Sequence, residues 1–260
     1  MASPASDTVA VRPTNVPRGV PPLRAGQGRQ FFWRRLHSLS GIIPVGAFLI
    51  EHFISNAFAT NGPQAYTDQV KFLTGLPFAF WLEVFGIYIP LLFHGGYGLW
   101  IWWRGESNAG GAYPWTNNWM YGVQRWTGII AFAYIFFHTW EMRFSGVHLF
   151  DYPQAAFWKV ENSLQSPLVI GAYVIGILCA SWHFGYGIFL FSAKWGLVTG
   201  ERGRRRMQRV GILIAGIFMA IGLYTMSAFI KPKADWPKQQ YNPEWSQPRH
   251  GRTGEVLKSE

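Results

Sequence analysis

Four of the seven histidines lie deep inside long apolar runs, each in a different run: His52, His94, His138 and His183. Apolar runs of about 20 residues cross a bilayer as helices, and an ionisable side chain at that depth is costly. One such histidine is more often a hydrogen-bonded structural residue than a ligand. Four of them favour metal binding, because imidazoles on two facing helices can bind a haem iron from both sides. The sequence therefore predicts two haems b, each held by two histidines.

The single cysteine limits the kind of haem. Cys179 lies within an apolar run. One cysteine cannot build a disulfide framework, an iron–sulfur cluster of this chain alone, or the C-x-x-C-H attachment of a c-type haem. Any haem in this chain is therefore expected to be bound noncovalently.

Composition and run length predict the helices that must position these histidines. Only 14% of the 260 residues are charged, against about a quarter in a soluble domain. Five runs are long enough to cross a bilayer: residues 36–57, 78–103, 126–144, 167–191 and 210–230. We expect an all-α integral membrane protein, with a bundle of five transmembrane helices over residues 31–230. Residues 1–30 are predicted to be a flexible arm, and residues 231–260 a polar tail.

The basic residues predict an orientation. In a soluble protein the net charge of +10 would suggest nucleic acid, but here the basic residues fall between the apolar runs. They concentrate in the arm before the first run, in the loop between the second and third runs, and in the loop between the fourth and fifth. These segments share one side of a five-span chain, and the positive-inside rule makes that side cytoplasmic. The N-terminus is then cytoplasmic, the tail lies outside, and no nucleic acid partner is expected.

The depth of each histidine ranks the possible pairings. At 1.5 Å per residue, His94 and His183 lie roughly 14–17 Å from the cytoplasmic boundary, His138 roughly 18 Å and His52 roughly 24 Å. The simplest pairing joins His94 with His183, here called the inner pair, and His52 with His138, here called the outer pair. Because His138 and His183 differ by less than the error in the span boundaries, other pairings stay open.

Glycines near the histidines leave room for a flat ring or for another helix. Gly41 and Gly128 lie about three turns before His52 and His138, near the depth of the inner pair. Others follow the inner histidines directly: Gly95, Gly96, Gly98, Gly185 and Gly187. A glycine lets the backbone approach a porphyrin closely, but it equally lets two helices pack. Both interpretations stay open. Within the spans, Pro44 and Pro90 are expected to bend the helices.

The histidines are embedded in longer segments that can be compared with known families. These segments are RRLHS at 34–38, EH at 51–52, LEVF at 82–85, FH at 93–94, QRWTG at 124–128, HTWE at 138–141 and AKWG at 193–196. They resemble the cytochrome b558 membrane anchors of succinate dehydrogenases and related fumarate reductases. The resemblance covers residues 31–230, and neither the arm nor the tail has a counterpart in it.

The resemblance implies a respiratory role. In that family a flavoprotein with covalent FAD and an iron–sulfur protein dock on the cytoplasmic face, where succinate is oxidised to fumarate. By resemblance, electrons would pass from the iron–sulfur clusters through the inner and then the outer haem to menaquinone. The chain would be the quinone-reducing subunit of a succinate dehydrogenase in the cytoplasmic membrane of a prokaryote. Some fumarate reductases carry a glutamate at the position of Ser181. Its absence here favours the succinate-oxidising direction.

Residues at matching family positions suggest partners for the propionates of the inner haem. They are His37, Ser38 and Lys194. A cation or hydrogen-bond donor at the membrane interface stabilises a carboxylate. Lys194 could instead simply extend from its helix end to the membrane surface.

Three glutamates are candidates for quinone binding or proton handling: Glu83, Glu51 and Glu141. Glu83 is the strongest candidate, because it lies in an apolar run. Glu51 is next to His52 but on a different helix face. Arg143 follows Glu141 by two residues, and we expect these two to form a surface ion pair.

Three other functions fit part of the pattern. A diheme cytochrome b anchor of a hydrogenase or formate dehydrogenase would share the haem sites, and only the resemblance argues against it. A histidine-based proton-coupled transporter would often show inverted repeats of broken helices, which the sequence lacks. A scaffold without haem would leave four buried histidines unexplained.

Overall fold

The apolar runs of the sequence fold into helices. The computed structural model describes residues 27–104 and 116–247, with the backbone alone at 27–28 and 116–118. Within these ranges the regular structure is helical and contains no strand. The α-helices are α1 Gln27–Ile42, α2 Pro44–Ala57, α3 Pro63–Thr74, α4 Ala79–Trp81, α5 Ile89–Arg104, α6 Thr116–Thr139, α7 Ala156–Ser163, α8 Pro167–Lys194 and α9 Gly200–Ile230. Short 3₁₀ or π-helical segments are Phe58–Asn61, Leu82–Tyr88, Trp140–Phe144, Pro153–Ala155 and Pro243–Ser246.

The chain divides into two units, Met1–Arg35 and Leu36–Glu260. Every site described below lies in the second unit. Residues 27–30, which the sequence assigned to the flexible arm, already belong to α1. Residues 1–26 of the predicted arm lie outside the described residues.

Four helical stretches are long and apolar enough to cross a membrane. They are Arg29–Asn61, Ala79–Arg104, Pro167–Lys194 and Gly200–Ile230. Each overlaps one of the five predicted spans. Many large hydrophobic side chains on these helices are exposed, as expected where lipid rather than water is the neighbour. The chain is therefore a multi-pass membrane protein.

The predicted span 126–144 is also helical. It is formed by α6 and by the π-helical segment Trp140–Phe144 that continues it. Among the described residues it is not one of the four most apolar stretches, since polar side chains such as Gln124 and Arg125 lie in the middle of α6. It packs against α8, which in turn packs against α9.

Two of the glycines that follow the inner histidines serve helix packing. A Cβ on Gly185 of α8 would collide with the backbone of α9 at Gly211, and a Cβ on Gly95 of α5 would overlap the ring of Phe132 on α6. Small residues let helices approach closely inside a membrane. At these two positions, of the two interpretations left open, it is close helix packing that the structure supports.

Prolines change the helix geometry in two places. The first span is interrupted where α1 ends at Ile42 and α2 begins at Pro44. Pro90 lies just after the π-helical segment Leu82–Tyr88. A proline lacks an N–H and its ring clashes with the carbonyl four residues earlier, so the wider π turn accommodates it. The bends expected at Pro44 and Pro90 themselves stay predictions.

The basic run before the last span is helical, not a loop as the sequence predicted. Residues 202–209 form the first turns of α9, and the connection from α8 is only residues 195–199. Gly196, with φ of 72°, adopts the left-handed conformation that commonly ends a helix. Glu201 pairs with Arg205 one turn later, and an acidic residue also suits a helix N-terminus.

Three segments meet at the end of the bundle that the basic residues predict to be outside, here called the outer end. α3 follows the first span, α7 precedes α8, and residues 231–247 follow α9. Their apolar faces share one buried cluster. Its members include Ala59, Tyr66, Phe157, Leu164 and Phe229. The connections of the outer end are therefore largely helical and packed together.

Residues 231–247, here called the strap, fold over the outer end. Trp236 packs against Phe157 and Trp245 against Trp158, with ring centroids 6.0 Å apart in both cases. Hydrogen bonds also join the strap to the segments before and within α7. The sequence predicted only a polar tail here, because scattered tryptophans among prolines and lysines show no helical or strand period. Residues 248–260 lie outside the described residues.

Candidate functional site

The inner pair is formed by α5 and α8, which place His94 and His183 next to each other. Their ring centroids are 6.0 Å apart and their ring planes are inclined by 78°. The structure therefore brings together the two histidines that the depth estimate paired.

Each inner histidine contacts a backbone carbonyl of a neighbouring helix. Nδ1 of His94 lies 2.9 Å from the carbonyl oxygen of His37 on α1. Nδ1 of His183 lies 3.0 Å from the carbonyl oxygen of Gln124 on α6. The side chain of Gln124 also donates to the carbonyl of His183, at 2.8 Å. Both rings are thus anchored to main chain.

A glycine four residues after each of these carbonyls makes the contact possible. A Cβ on Gly41 would overlap the ring of His94, and a Cβ on Gly128 would lie 2.6 Å from Cε1 of His183. In an α-helix, the carbonyl of residue i lies beside residue i+4. Any side chain at these two positions would therefore occupy the place of the imidazole.

The outer pair is formed by α2 and α6. The ring centroids of His52 and His138 are 5.7 Å apart and their planes are inclined by 73°. Nδ1 of His138 lies 3.1 Å from the hydroxyl oxygen of Tyr173 on α8. The amide nitrogen of Asn56 lies 3.4 Å from Nδ1 and 3.3 Å from Nε2 of His52. The hydrogen-bond partners of the outer rings are therefore side chains, whereas those of the inner rings are main-chain carbonyls.

A cavity of about 370 Å³ opens around the outer pair. His52 and His138 both line it, and most of its wall is apolar. Glu83, Tyr88 and Arg143 line the same cavity. A mainly apolar cavity of this size with a few polar groups is typical of cofactor and small-molecule sites.

The hydrogen bonds determine which ring nitrogen carries the proton in three of the four histidines. A carbonyl oxygen only accepts, so Nδ1 of His94 and of His183 must donate. Tyr173 gives its own proton to Glu141, at 3.0 Å, so its hydroxyl accepts from Nδ1 of His138. In neutral rings of this kind Nε2 is the unprotonated nitrogen, and it is the one that can bind a metal.

The ring separations fit a metal ion shared by each pair. Metal–imidazole bonds of about 2 Å place two opposing ring centroids roughly 6 Å apart. The described part of the chain holds no group of three or more His, Cys, Asp or Glu side chains arranged for a metal ion. Pairs of imidazoles suit a haem, because the porphyrin supplies the remaining iron ligands.

Of the three predicted propionate residues, His37 lies against the inner pair. Its ring stacks on that of His94 with centroids 4.2 Å apart and planes inclined by 6°. Lys194, at the end of α8, is close enough for its charge to act on His37. Ser38 follows His37 on α1 and is half-buried.

Arg143 pairs with Glu83 and not with Glu141 as expected. Nη2 of Arg143 lies 3.1 Å from Oε2 of Glu83, and Nε donates to the same oxygen at 3.2 Å. The expected pair of Glu141 with Arg143 was wrong, because residues two apart on a helix do not face each other. Glu83 is therefore neutralised by an arginine from the neighbouring span.

The other two candidate glutamates are hydrogen-bonded elsewhere. Glu141 accepts from Tyr173 and from Ser163 on α7. Glu51 accepts from Ser55 one turn later on α2. Of the three glutamates, it is Glu83 that lines the cavity of the outer pair.

Lys159 on α7 is a buried cation that the sequence did not single out. It is 7% exposed, and Nζ donates to the carbonyls of Met142, Ser145 and Val147 at 2.9, 2.7 and 2.7 Å. Burial lowers the pKa of Lys159 to about 8, and the charge of Glu141 partly opposes that shift. Nothing in the sequence distinguishes this lysine from a solvated one, because its acceptors are carbonyls.

Tyr66 on α3 was also missed. Burial raises the pKa of Tyr66, whose hydroxyl donates to Oδ1 of Asn56 at 3.1 Å. Since Asn56 contacts the ring of His52, Tyr66 fixes a neighbour of the outer pair. No signal in the sequence marks Tyr66, because it lies outside the predicted spans.

Comparison with known proteins gives the family. No protein-family model matches the chain. The chain is similar to the succinate dehydrogenase cytochrome b558 subunit of Bacillus subtilis (strain 168), with 37% identity over 202 residues, which cover 78% of this chain and 98% of that relative. The chain therefore belongs to the family of succinate dehydrogenase cytochrome b558 subunits.

Proposed function

We propose that this chain is the haem b-containing membrane anchor of a succinate:quinone oxidoreductase. It docks the flavoprotein and iron–sulfur subunits and passes electrons from succinate oxidation to menaquinone. The observation that carries the proposal is that four half-buried histidines form two pairs, with ring centroids 6.0 and 5.7 Å apart. Family membership argues against a hydrogenase or formate dehydrogenase anchor and against a transporter.

Each pair is proposed to hold one haem b. When bound, haem carries one electron at a time by alternating between ferric and ferrous iron. The protein holds the imidazoles in the tautomer that can bind: the carbonyls of His37 and Gln124 do so for the inner pair, and Tyr173 does so for His138. Donation from Nδ1 also fixes the orientation of a ring and raises the basicity of its other nitrogen.

His37, Ser38 and Lys194 are proposed to bind the propionates of the inner haem. A hydroxyl and an ammonium both donate to carboxylates, and the charge-assisted bond of the ammonium is the stronger one. The stacking of His37 on His94 places it at the edge of the inner pair.

The cavity of the outer pair is proposed to receive the menaquinone headgroup. Arg143 can donate to a quinone carbonyl, and Glu83 can carry a proton to it. Both side chains are about one-quarter exposed, 29% and 26%, so a ligand in the cavity can reach them. Glu51 and Glu141 are bonded to Ser55, and to Ser163 and Tyr173, so direct headgroup contact is proposed for Glu83.

Five membrane crossings are proposed, with α6 and its π-helical extension as the one that hydropathy alone leaves out. Tyr66 follows the first span and Phe157 precedes α8, yet their ring centroids are only 6.3 Å apart. Between them the chain crosses once through Ala79–Arg104. It must cross again to return to the outer end, and α6 is the helix that lies between.

The partner subunits are proposed to dock at the end opposite the strap. The basic turns of α9 lie there, and the positive-inside rule makes that end cytoplasmic. The N-terminus is then cytoplasmic and the strap lies outside, in the cytoplasmic membrane of a prokaryote. FAD and the iron–sulfur clusters would belong to the partners, whose electrons would reach the inner pair first.

Purification through a tag on this chain tests the proposal. A flavoprotein with covalent flavin and an iron–sulfur subunit should copurify, and the preparation should reduce a menaquinone analogue with succinate. A His138→Ala complex is the matched control: it should keep both partner subunits but lose most quinone reduction. Copurification with a hydrogenase or formate dehydrogenase, or with no redox partner, would contradict the proposal.

A further inference from the structure

A chain of hydrogen bonds leads from the outer pair to the outer end. Nδ1 of His138 lies 3.1 Å from the hydroxyl of Tyr173, and this hydroxyl lies 3.0 Å from Oε2 of Glu141. The other carboxylate oxygen of Glu141 accepts from the hydroxyl of Ser163 on α7. α6 with its π-helical extension, α8 and α7 thus contribute to one connected polar path.

The chemistry of the groups fixes the direction of each bond. An ionised carboxylate only accepts, so Tyr173 and Ser163 both donate to Glu141. Having given its single proton, the Tyr173 hydroxyl must accept from Nδ1 of His138. The negative charge of Glu141 therefore acts through one hydroxyl on the proton of the imidazole, and bonds in such a chain polarise one another.

The packing around this path leaves little freedom. Tyr173 is 6% exposed, and its ring packs edge-on against the rings of Tyr134 and His138, at 80° in both cases. Tyr134 in turn stacks on His138, with centroids 5.6 Å apart and planes inclined by 23°. Lys159 provides a positive charge that interacts with Glu141. The ring of His138 is therefore held in one orientation relative to Tyr173.

We propose that Glu141 is a positioning residue for the outer pair, acting through Tyr173 on His138. The proposal rests on the proposed function, since it requires a haem b at His52 and His138. A carboxylate behind Nδ1–H makes Nε2 a stronger electron donor. A stronger donor stabilises ferric over ferrous iron, so this relay of Glu141 and Tyr173 lowers the midpoint potential of the outer haem.

The inner pair offers an internal reference for this effect. Its Nδ1 groups face the neutral carbonyls of His37 and Gln124. A neutral acceptor polarises an N–H less than a carboxylate does. The relay therefore acts on one of the two haems, and it separates their potentials without any difference in iron ligands.

A redox titration of the intact complex that resolves the two haem components tests the relay. Tyr173→Phe removes the hydroxyl, and Glu141→Gln removes the charge while keeping the shape. Each should raise the midpoint potential of the outer component and leave the inner one unchanged. In the double variant, Glu141→Gln should add nothing to the shift of Tyr173→Phe, because the charge acts through that hydroxyl. Tyr224→Phe, at a 68% exposed position of α9, is the control and should shift neither component.

The possible outcomes separate the relay from its alternatives. Unshifted outer potentials, or fully additive shifts in the double variant, would overturn the proposal. Loss of the outer component alone from Tyr173→Phe would support it, since loss of such a partner weakens metal binding by about 10–100-fold. Loss of both components from Glu141→Gln would mean a general folding role and would overturn it. A wild-type complex without haem would instead refute the proposed function.

Discussion

The inner and outer histidine pairs have similar ring separations, 6.0 and 5.7 Å, but different supports. The inner rings contact backbone carbonyls that glycines leave accessible. The outer rings contact the side chains of Tyr173 and Asn56 inside a cavity. One site therefore depends on how closely helices pack, and the other depends on individual side chains.

This difference has consequences for how each site can change. A backbone acceptor cannot be removed by substitution, so the hydrogen bonds that anchor the inner rings are disturbed when helices are forced apart. The outer pair can be adjusted one side chain at a time, and its relay reaches Ser163 at the outer end. We therefore expect substitutions near the inner pair to act through packing and those near the outer pair to act through electronics.

Removal of single histidines should have the largest effect on the two haem sites. His94→Ala and His183→Ala should each abolish the same haem component, and His52→Ala and His138→Ala the other. The reason is that one imidazole cannot hold the haem in place of two. Redox-resolved difference spectra of the variants measure this. Loss of the same component from His94→Ala and His138→Ala would overturn the pairing.

A methyl group at the glycines of the inner pair should have the next largest effect. Gly41→Ala and Gly128→Ala should each cost about 1–3 kcal/mol of stability through overpacking and reduce the content of the inner haem, while the outer haem remains. Haem content per chain and thermal unfolding report both quantities.

Gly216→Ala is the matched control for this pair of variants, because a Cβ there meets no atom within 4 Å. It should leave both haems in place. Equal losses of the two haems in Gly41→Ala would show that the glycine serves general packing.

Loosening the strap should affect the outer pair more than the inner one. Trp236→Ala removes a ring that packs on Phe157 of α7, the helix that also provides Ser163. We expect a loss of about 1–3 kcal/mol in stability and a lower temperature for loss of the outer component. Gln240→Ala, at an exposed strap position, should change neither. Simultaneous loss of both components on heating would contradict this selectivity.

Removal of the Gln124 side chain should have the smallest effect. Gln124→Ala deletes a hydrogen bond to the His183 carbonyl, worth about 1 kcal/mol, but keeps the backbone carbonyl that accepts from Nδ1. The potential of the inner haem should therefore stay nearly unchanged, whereas Tyr173→Phe shifts that of the outer haem. A comparable shift in both variants would remove the distinction between main-chain and side-chain support.

The features that could be predicted from the sequence are those with a local signal. Apolar run length marked the helices, and counting residues along them brought His94 to the depth of His183. The spacing of His37 to Gly41 and of Gln124 to Gly128 was also visible, but four-residue spacing to a glycine is common to ordinary helix packing. Only the position of the neighbouring helix shows that these glycines face imidazoles.

The features that could not be predicted depend on contacts between distant segments. Tyr173 is 32 residues from Glu141, and Arg143 is 60 residues from Glu83. Sequence proximity suggested instead that Glu141 pairs with Arg143, which the helical geometry excludes. The strap was not predicted for the same reason, since its tryptophans contact residues of α7 that are distant in the sequence.

Haem content of the purified wild-type chain tests the central claim most directly, which is that each of the two histidine pairs holds one haem b. Reduced-minus-oxidised spectra, quantified against protein, should show two noncovalently bound haems b per chain. One haem per chain would mean that one of the pairs is structural, and a spectrum without haem bands would contradict the account as a whole.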